Sequence, residues 1–243
     1  MPCRLSRVIR TIEHKKTNAI EATDPNCAPP ARSLAAMTLS ENSIYLASRS
    51  PRRQELLKQI GVDFEVLSLR EALPRTPDVD ETPLPDEAPM DYTSRIARVK
   101  AEVGWRRMGE RGLSQRPVLG ADTAVALQGR ILGKPENPGH AKEMLRMLSA
   151  HTHQVVTAIA VTAQAGTRVC ISRSNVRFRN LSEREISGYV SCGEGHDKAG
   201  GYAIQGLAAI FISELAGSYS GVVGLPLFET AQLLEEAGIK IFE

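Results

Sequence analysis

The feature that most constrains the fold of this chain is a short apolar strand that leads directly into a helix. The predicted strand is Ile44 to Ala47, and apolar residues recur at helical spacing from Arg52 to Ile60. Gly61 follows at the position of a C-terminal cap, and the turn Ser48-Arg49-Ser50-Pro51 joins the two elements. The segment therefore predicts one strand–turn–helix unit at the start of a folded domain.

A helix amino terminus of this kind binds anions readily, because its unpaired N–H groups point outward with partial positive charge. Ser48 and Ser50 add hydroxyl donors, and Arg52 and Arg53 add charge-assisted donors that suit phosphate oxygens. The plainer alternative is that Ser50 only caps the helix, Pro51 occupies its favoured first position and the arginines are solvated. The segment alone leaves both interpretations open.

The rest of the chain mixes strands and helices without a strict βαβ repeat, which predicts an α/β (mixed α+β) sheet flanked by helices. A capping box at Ser182 opens one of the shorter helices. The other predicted strands cover 64–67, 118–121, 155–161, 169–178 and 208–216, and the other predicted helices cover 91–111, 138–148 and 225–237.

Residues 1–42 are polar and rich in proline, with no apolar period. We expect them to form a disordered N-terminal extension, followed by a single domain over residues 43–243. The first 36 residues carry basic side chains but no apolar core of a secretory signal, so export is not predicted.

Composition limits the classes of function. The formal net charge is only +2 and aromatic residues make up 5% of the chain, so we expect no stable nucleic-acid partner. The basic helix from Arg95 to Arg111 keeps nucleic-acid binding open as a weaker alternative. The four cysteines form no CxxC pair, which indicates a reducing, cytoplasmic location. No apolar run approaches the ~20 residues that span a bilayer, so no membrane partner is expected.

Asp122 and Lys134 are candidates for the chemistry. Asp122 ends an apolar strand within Gly120-Ala121-Asp122-Thr123, a position suited to metal binding or general-base catalysis. Lys134 is held between Gly133 and Pro135, where its charge would lie beside a phosphate. The alternatives are an Asp that caps a turn and a lysine exposed in a tight turn.

Two further segments carry candidate residues. Asp80 and Glu81 lie in a proline-rich acidic loop over 74–90, and Lys100 follows on the basic helix. Carboxylates with a lysine suggest Mg²⁺ held partly by the protein and partly by substrate phosphates, whereas a solvated, inert loop is the alternative. The Gly-rich segment 197–206, which contains Gln205, permits close backbone approach to a ligand or forms a turn between strands.

The order and spacing of these segments resemble the Maf family of nucleoside triphosphate pyrophosphatases. The resemblance covers Ile44 to Ile239, which is nearly all of the chain beyond the N-terminal extension. It is carried by LASRSPRRQELLKQIGVDFEV, GADTAVALQGRILGKP, AKEMLRMLSAHTHQVVTAIAV and DKAGGYAIQGLAAIFISELAGSYSGVVGLPLFET. It implies an inosine-triphosphatase-like fold, with an elongated twisted mixed sheet and two lobes around a central cleft, and a homodimer.

The resemblance also implies roles for individual residues. Asp122 corresponds to the proton acceptor that activates water, and Glu81 with Asp122 to ligands of a divalent cation, Mg²⁺, Mn²⁺ or Co²⁺. The implied reaction is attack of water on the α-phosphorus, which releases a nucleoside monophosphate and pyrophosphate. The residues implied to contact the nucleoside triphosphate are Arg52, Thr123 and Gln205 at specificity positions, and Ser48, Arg53, Lys100 and Lys134 around the triphosphate.

Within the family, DKAGGYAIQG followed by GSYSGVVGLP resembles the branch that hydrolyses dTTP and UTP. The 7-methyl-GTP branch has Glu where this chain has Gln205. An amide offers both a donor and an acceptor, as the edge of uracil or thymine requires. A 7-methyl-GTP pyrophosphatase, and an inhibitor of septum formation that acts through protein interaction, are the alternatives.

Overall fold

The structure is a computed structural model that describes residues 42–70 and 77–242. The predicted disordered extension therefore lies outside the described residues, apart from Asn42. This residue belongs to the folded domain, because its side-chain amide donates to the carbonyl of Lys240 and accepts from the N–H of Lys240, both at 2.6 Å. Residues 71–76 of the predicted acidic loop also lie outside the described part.

The described residues form a mixed α/β structure, so the predicted fold class is confirmed. Its strands are β1 (Ser43–Leu46), β2 (Asp63–Val66), β3 (Val118–Leu127), β4 (Arg130–Leu132), β5 (Thr152–Ala163), β6 (Gly166–Phe178) and β7 (Ile212–Ala216). Its α-helices are α1 (Pro51–Gln59), α2 (Pro89–Glu110), α3 (Pro138–Leu148), α4 (Glu183–Cys192), α5 (Tyr219–Val223) and α6 (Leu227–Glu236).

The described strands form one seven-stranded sheet in the order β2-β1-β3-β5-β6-β7, with β4 paired to β3. The pairs of β1 with β2 and with β3 are parallel, and the others are antiparallel. The predicted strand–turn–helix unit is confirmed, since β1 leads within four residues into α1 and Gly61 adopts a positive φ of 71° after the helix. The capping box at Ser182 is also present.

The predicted strand at 208–216 is only partly correct. Residues 207–211 form a 3₁₀ helix, and β7 begins at Ile212. Ala208 and Phe211 are buried whereas Leu207 and Ile210 are exposed, a spacing of three that fits a 3₁₀ turn rather than a strand. The short helix α5 was not predicted, because its five residues are too few to give a periodic pattern.

Helices cover both faces of the sheet around β3. Residues alternate along a strand, so the side chains of Leu119 and Ala121 face a core formed with α1 and α6. Val118 faces the opposite side, where α2 packs. A second large cluster joins α3 and α4 to the far half of the sheet, around Phe178 and Tyr189.

Helix α2 lies unusually close to β3 because the facing residues are small. A Cβ atom on Gly120 would stand 2.5 Å from the carbonyl oxygen of Ala97 and 2.6 Å from the nitrogen of Ala101. Only glycine fits at that position. The same helix has 22 residues and is the longest of those described, yet no helix in the described ranges is long and apolar enough to cross a membrane.

A buried histidine lies in the second cluster. The Nε2 atom of His153 is 2.7 Å from the hydroxyl of Tyr202, and its ring packs edge-on against Phe178 at 5.0 Å. Its Nδ1 atom has no hydrogen-bond partner among the described residues. Burial lowers the pKa of His153 to about 4, so the ring is neutral in the folded protein at pH 7. His153 is therefore a buried, neutral part of the second hydrophobic cluster.

This histidine gives a prediction for acid stability. The unfolded chain binds a proton at His153 below about pH 6.5, whereas the folded protein does so only near pH 4. Stability must therefore fall as the pH drops between these values, by about 2 kcal/mol at pH 5. We expect His153→Gln, which retains a partner for Tyr202 but cannot titrate, to lose about 2 kcal/mol less than the wild type between pH 7 and pH 5. Urea unfolding at both pH values measures this, and equal losses would exclude His153 as the group responsible.

Candidate functional site

The candidate site lies at a notch in the sheet. Strand β3 pairs with β5 from Val118 to Ala126. On its other side β1 pairs only with Val118 and Leu119, and β4 pairs only from Val125 onward. The edge of β3 over 120–124 is therefore open, beside the carboxyl end of β1 and the turn into α1. Clefts at the carboxyl ends of parallel strands are common binding positions in α/β proteins.

Three charged residues meet on the α2 side of this notch. The Nζ atom of Lys100 lies 2.9 Å from Oδ1 of Asp122 and 2.8 Å from Oε1 of Glu81. The close approach of α2 at Gly120 allows this contact, since Lys100 extends from the helix over the next part of β3. The structure thus brings together three of the residues predicted from sequence.

The two carboxylates around Lys100 have different affinities for a proton. Burial raises the pKa of Asp122, and the charges of Lys100 and Arg53 offset this only in part. Burial also opposes ionisation of Glu81, but Lys100, Lys134 and Arg53 outweigh it, so the pKa of Glu81 lies below its ordinary value. Opposite shifts in neighbouring carboxylates are typical of sites that divide acid–base roles. Asp122 is the better proton acceptor of the two.

The loop that carries Glu81 is held on α2 by two residues that the sequence analysis did not single out. The Tyr92 hydroxyl donates to the carbonyl of Glu81 at 3.0 Å. Arg95 donates to the carbonyl of Thr82 at 3.1 Å and forms a bidentate pair with Glu87 at 2.7 Å. The loop is therefore fixed at Glu81. The spacing of three between Tyr92 and Arg95, which places both on one helix face, was the available signal.

On the α1 side of the notch, Arg53 connects three segments. Its guanidinium donates to the carbonyl of Gly224 at 2.9 Å, to Oγ of Ser48 at 3.1 Å and to Oγ1 of Thr123 at 3.4 Å. Burial lowers the pKa of Arg53, and the charge of Asp122 partly offsets this. The interpretation that Arg53 is merely solvated is therefore wrong.

The hydrogen bonds of the β1–α1 turn also decide the role of its serines. The Oγ atom of Ser48 accepts from the N–H of Ser50 at 3.3 Å. Ser50 occupies the N-cap position of α1 but forms no side-chain cap hydrogen bond, so the alternative that it serves as a cap is wrong. Pro51 does occupy the first turn, as that alternative stated. Ser48 therefore orders the turn while it contacts Arg53.

The remaining predicted residues are Arg52, Lys134 and Gln205. Arg52 is half-buried, and the negative charge of Asp197 partly offsets the lowering of its pKa by burial, which indicates that the two side chains are near each other. Lys134 is exposed, and its charge contributes to the lowered pKa of Glu81. Gln205 is exposed, and its side chain forms no hydrogen bond with the other predicted site residues within the described part of the chain.

The segment that carries Gln205 is nevertheless held in place. The Tyr189 hydroxyl donates to Oε1 of Glu194 at 2.8 Å and accepts from the N–H of Ala203 at 3.1 Å. The other oxygen of Glu194 accepts from the N–H of Leu207 at 2.9 Å. Tyr189 and Glu194 thus bind the backbone on both sides of Gln205, and sequence reasoning missed both residues.

The basic helix α2 carries many ion pairs. Arg95 is paired with Glu87, and Arg107 contacts both Asp78 and Glu110. Arg98 and Arg106 each face a glutamate one turn later, at 3.8 and 3.7 Å. These carboxylates reduce the positive potential that α2 presents, which weakens the nucleic-acid alternative.

The donor set at the notch limits how a metal could be held. Within the described ranges there is no group of three or more His, Cys, Asp and Glu residues arranged to hold a metal. Glu81 and Asp122 share one lysine, and each has a second oxygen. Two carboxylates fit Mg²⁺ that takes its other ligands from water and substrate phosphates, rather than a site built from protein ligands alone.

A separate cavity of about 610 Å³ lies near the β5–β6 hairpin. It is lined in part by Trp105, Arg116 and Glu236, and it contains none of the predicted site residues. Its lining has no shared lysine–carboxylate contact of the kind seen at Lys100. We therefore assign the chemistry to the open notch.

The fold and the notch define a mixed α/β protein with a cationic, carboxylate-bearing site suited to a polyanionic substrate. The chain belongs to the Maf family, since the family model described as "Maf-like protein" matches residues 43–237.

The chain is also similar to several proteins named dTTP/UTP pyrophosphatase. The protein from Nitrosospira multiformis is 73% identical, over 85% of this chain and 100% of its own length. The one from Nitrosomonas europaea is 61% identical, over the same shares of the two chains. The one from Aromatoleum aromaticum is 55% identical, over 80% of this chain and 95% of its own. Among solved structures, the Staphylococcus aureus Ham1 protein matches 56% of this chain and 71% of that chain, at 19% identity and a TM-score of 0.38.

Tyr189 and Glu194 hold the backbone on both sides of Gln205, and Tyr189→Phe tests this role. Loss of the hydroxyl leaves the N–H of Ala203 and one oxygen of Glu194 without their partner, which should lower the free energy of unfolding by about 1–3 kcal/mol. We expect faster amide hydrogen exchange at 203–207, measured by mass spectrometry. Tyr219→Phe, at an exposed tyrosine of α5, is the matched control and should leave exchange there unchanged. Unchanged exchange in Tyr189→Phe would show that the Tyr189 hydroxyl does not hold this segment.

Proposed function

We propose that this chain hydrolyses dTTP and UTP to the nucleoside monophosphate and pyrophosphate. Membership of the Maf family and the shared name of its relatives support this activity. The observation that carries the proposal is the contact of one lysine, Lys100, with two carboxylates, Asp122 and Glu81, beside the half-buried Arg53. Cations that surround a buried base are what hydrolysis of a phosphoric anhydride requires.

In the proposed reaction Asp122 accepts a proton from water as the water oxygen attacks the α-phosphorus. The bond between that phosphorus and the bridging oxygen breaks, and pyrophosphate leaves with the electron pair. Lys100, Lys134 and Arg53 would neutralise the charge that develops on the phosphate oxygens. Ser48 supports this arrangement through its hydrogen bond with Arg53. Asp122 is suited to its role because it is buried and its carboxylate is held at 2.9 Å by Lys100.

The proposed cofactor is a divalent cation, Mg²⁺ or Mn²⁺, with Co²⁺ as a third choice. Glu81 and Asp122 would hold it together with oxygens of the triphosphate. When bound, the cation would neutralise phosphate charge and orient the phosphate chain. The anchoring of the Glu81 loop by Tyr92 and Arg95 supports this role, since a ligand on a fixed loop costs less entropy to engage.

We assign the choice of base to Arg52, Thr123 and Gln205. The amide of Gln205 can both donate to and accept from a uracil or thymine edge, whereas a glutamate would only accept. Its exposed side chain is free to meet a ligand. We further propose that the enzyme acts in the cytoplasm, as a homodimer, to remove unwanted nucleotides. If Asp122→Asn still blocked cell division when overproduced, an effect on septum formation would be separate from hydrolysis.

Asp122→Asn tests the catalytic assignment. The amide cannot accept a proton, so pyrophosphate release from dTTP and UTP should fall by at least ~100-fold. Asp91→Asn, an equivalent change at an exposed position in the first turn of α2, is the control and should retain activity. The wild type is assayed in parallel with 7-methyl-GTP. A clear preference for that nucleotide would contradict the proposed substrate class.

Metal dependence has its own test. Chelation with EDTA should stop pyrophosphate release, and added Mg²⁺ or Mn²⁺ should restore it. Glu81→Gln should raise the Mg²⁺ concentration for half-maximal rate by about tenfold or more, because one charged ligand of ~1.5–3 kcal/mol is lost. The exposed Glu55→Gln on α1 is the control. Full activity after chelation would remove the metal from the proposal.

A further inference from the structure

A buried threonine outside the predicted site is hydrogen-bonded to it. Thr157 lies on β5 directly opposite Thr123, and only 1% of its surface is exposed. The two hydroxyl oxygens are 2.9 Å apart, and the Thr157 hydroxyl donates to the carbonyl oxygen of Gly221 at 2.7 Å. Thr123 also receives the hydrogen bond from Arg53. Thr157 thus joins Thr123 to helix α5.

Counting protons fixes the direction of this chain of hydrogen bonds. A threonine hydroxyl has one proton to donate, and a backbone carbonyl can only accept. The proton of Thr157 is therefore used by Gly221, so Thr157 can only accept from Thr123. The proton of Thr123 is used in turn by Thr157. The Thr123 hydroxyl therefore has only lone pairs to offer toward the notch. One of them accepts the hydrogen bond from Nη2–H of Arg53.

The same segment of backbone closes the chain into a ring. The carbonyl of Gly221 also accepts from the N–H of Gly224, and the carbonyl of Gly224 accepts from Nε of Arg53. Arg53, Thr123 and Thr157 are therefore fixed against both ends of one short backbone segment, 221–224. The hydroxyl of Thr123 lies between Arg53, which donates to it, and Thr157, which accepts from it, so it has little freedom to turn.

A hydroxyl that can only accept discriminates between parts of a nucleotide. Phosphate oxygens in the ionised triphosphate are acceptors, so Thr123 has no proton with which to bind them. The groups that it can meet are donors, and dTTP and UTP share two of them, the N3–H of the base and the 3′-hydroxyl of the sugar. Thr123 should therefore face the nucleoside, and the triphosphate should lie with Lys100 and Lys134.

We propose that Thr157 is a positioning residue that holds the Thr123 hydroxyl as an acceptor for an N–H or O–H donor of the nucleoside. This inference rests on the proposed hydrolysis of dTTP and UTP. Thr157 does not itself touch the substrate, because it is buried behind Thr123. Thr157 contributes to selectivity because it takes the proton of the Thr123 hydroxyl, so that Thr123 cannot donate a hydrogen bond to the substrate.

The test compares the wild type with Thr157→Val and Thr157→Ser. Valine matches the shape of threonine but has no hydroxyl, so it frees the proton of Thr123, whereas serine keeps the hydroxyl. The Gly221 carbonyl retains its bond from Gly224 in both variants. Each protein is assayed with dTTP, with the N3-methyl analogue of dTTP and with 3′-deoxy-dTTP. The two analogues separate the base donor from the sugar donor.

In the wild type we expect kcat/KM to fall about tenfold or more with the analogue that lacks the relevant donor. In Thr157→Val we expect kcat/KM for dTTP itself to fall about tenfold, mainly through KM, and the penalty for that analogue to shrink below about threefold. A rise in KM is expected because contacts with the nucleoside act equally on the ground and transition states. Thr157→Ser should restore both the rate and the penalty.

Ser174→Ala is the matched control for structural damage. Ser174 on the neighbouring strand is also buried, and its hydroxyl donates to the carbonyl of Ser218 at 3.2 Å, just before α5. Its loss weakens the link between the sheet and α5 without freeing Thr123, so the wild-type penalty should persist.

If Thr157→Val keeps the full penalty, or if the wild type tolerates both analogues, the positioning role is wrong. A wild type without activity on dTTP and UTP would instead overturn the proposed function, which keeps the two failures distinct.

Discussion

The contact of one ammonium group with two carboxylates is the interaction on which the candidate site depends. Without Lys100, Asp122 and Glu81 would repel each other, and Asp122 would be a buried carboxylate without its closest cation. The arrangement is possible only because Gly120 has no side chain, which lets α2 lie against β3. The small size of Gly120 is thus a precondition for the ion pairs that Lys100 forms with Asp122 and Glu81. It also explains why α2 has a small-residue face of Ala97 and Ala101 where it crosses the strand.

The order of segments in the sequence predicted the parts of the site that are local. The β1–α1 turn, Asp122 at β3 and the capping box at Ser182 each follow from residues within a few positions of one another, and the mixed sheet follows from the sequence of elements. The bounds of β3 were underestimated, since the polar pair Asp122 and Thr123 interrupts its apolar run. Asp122 is buried and is paired with Lys100 of α2, a long-range contact that no local pattern in the sequence reports.

Long-range contacts were out of reach for a physical reason. Thr157 and Gly221 are 64 residues apart, and a threonine in the middle of an apolar strand is ordinary in sequence. Arg95 was interpreted as part of a basic helix that could bind nucleic acid, yet its guanidinium is paired with Glu87 and donates to the backbone of the acidic loop. In each case sheet register or helix packing determines which partner the side chain contacts. Neither the register nor the packing can be inferred from the residues adjacent in sequence.

Asp122 and Thr123 are adjacent in the chain but project to opposite faces of β3, as residues of a strand must. One meets Lys100 on the α2 side, and the other meets Thr157 and α5. The open edge of β3 is the place where a ligand can reach both faces at once, and Arg53 lies there, in contact with Thr123 and within the field of Asp122. The alternation of a single strand would therefore separate the proposed acid–base residue, Asp122, from the proposed recognition group, the hydroxyl of Thr123. Both side chains lie at the open edge of β3, where the notch connects the two faces of the strand.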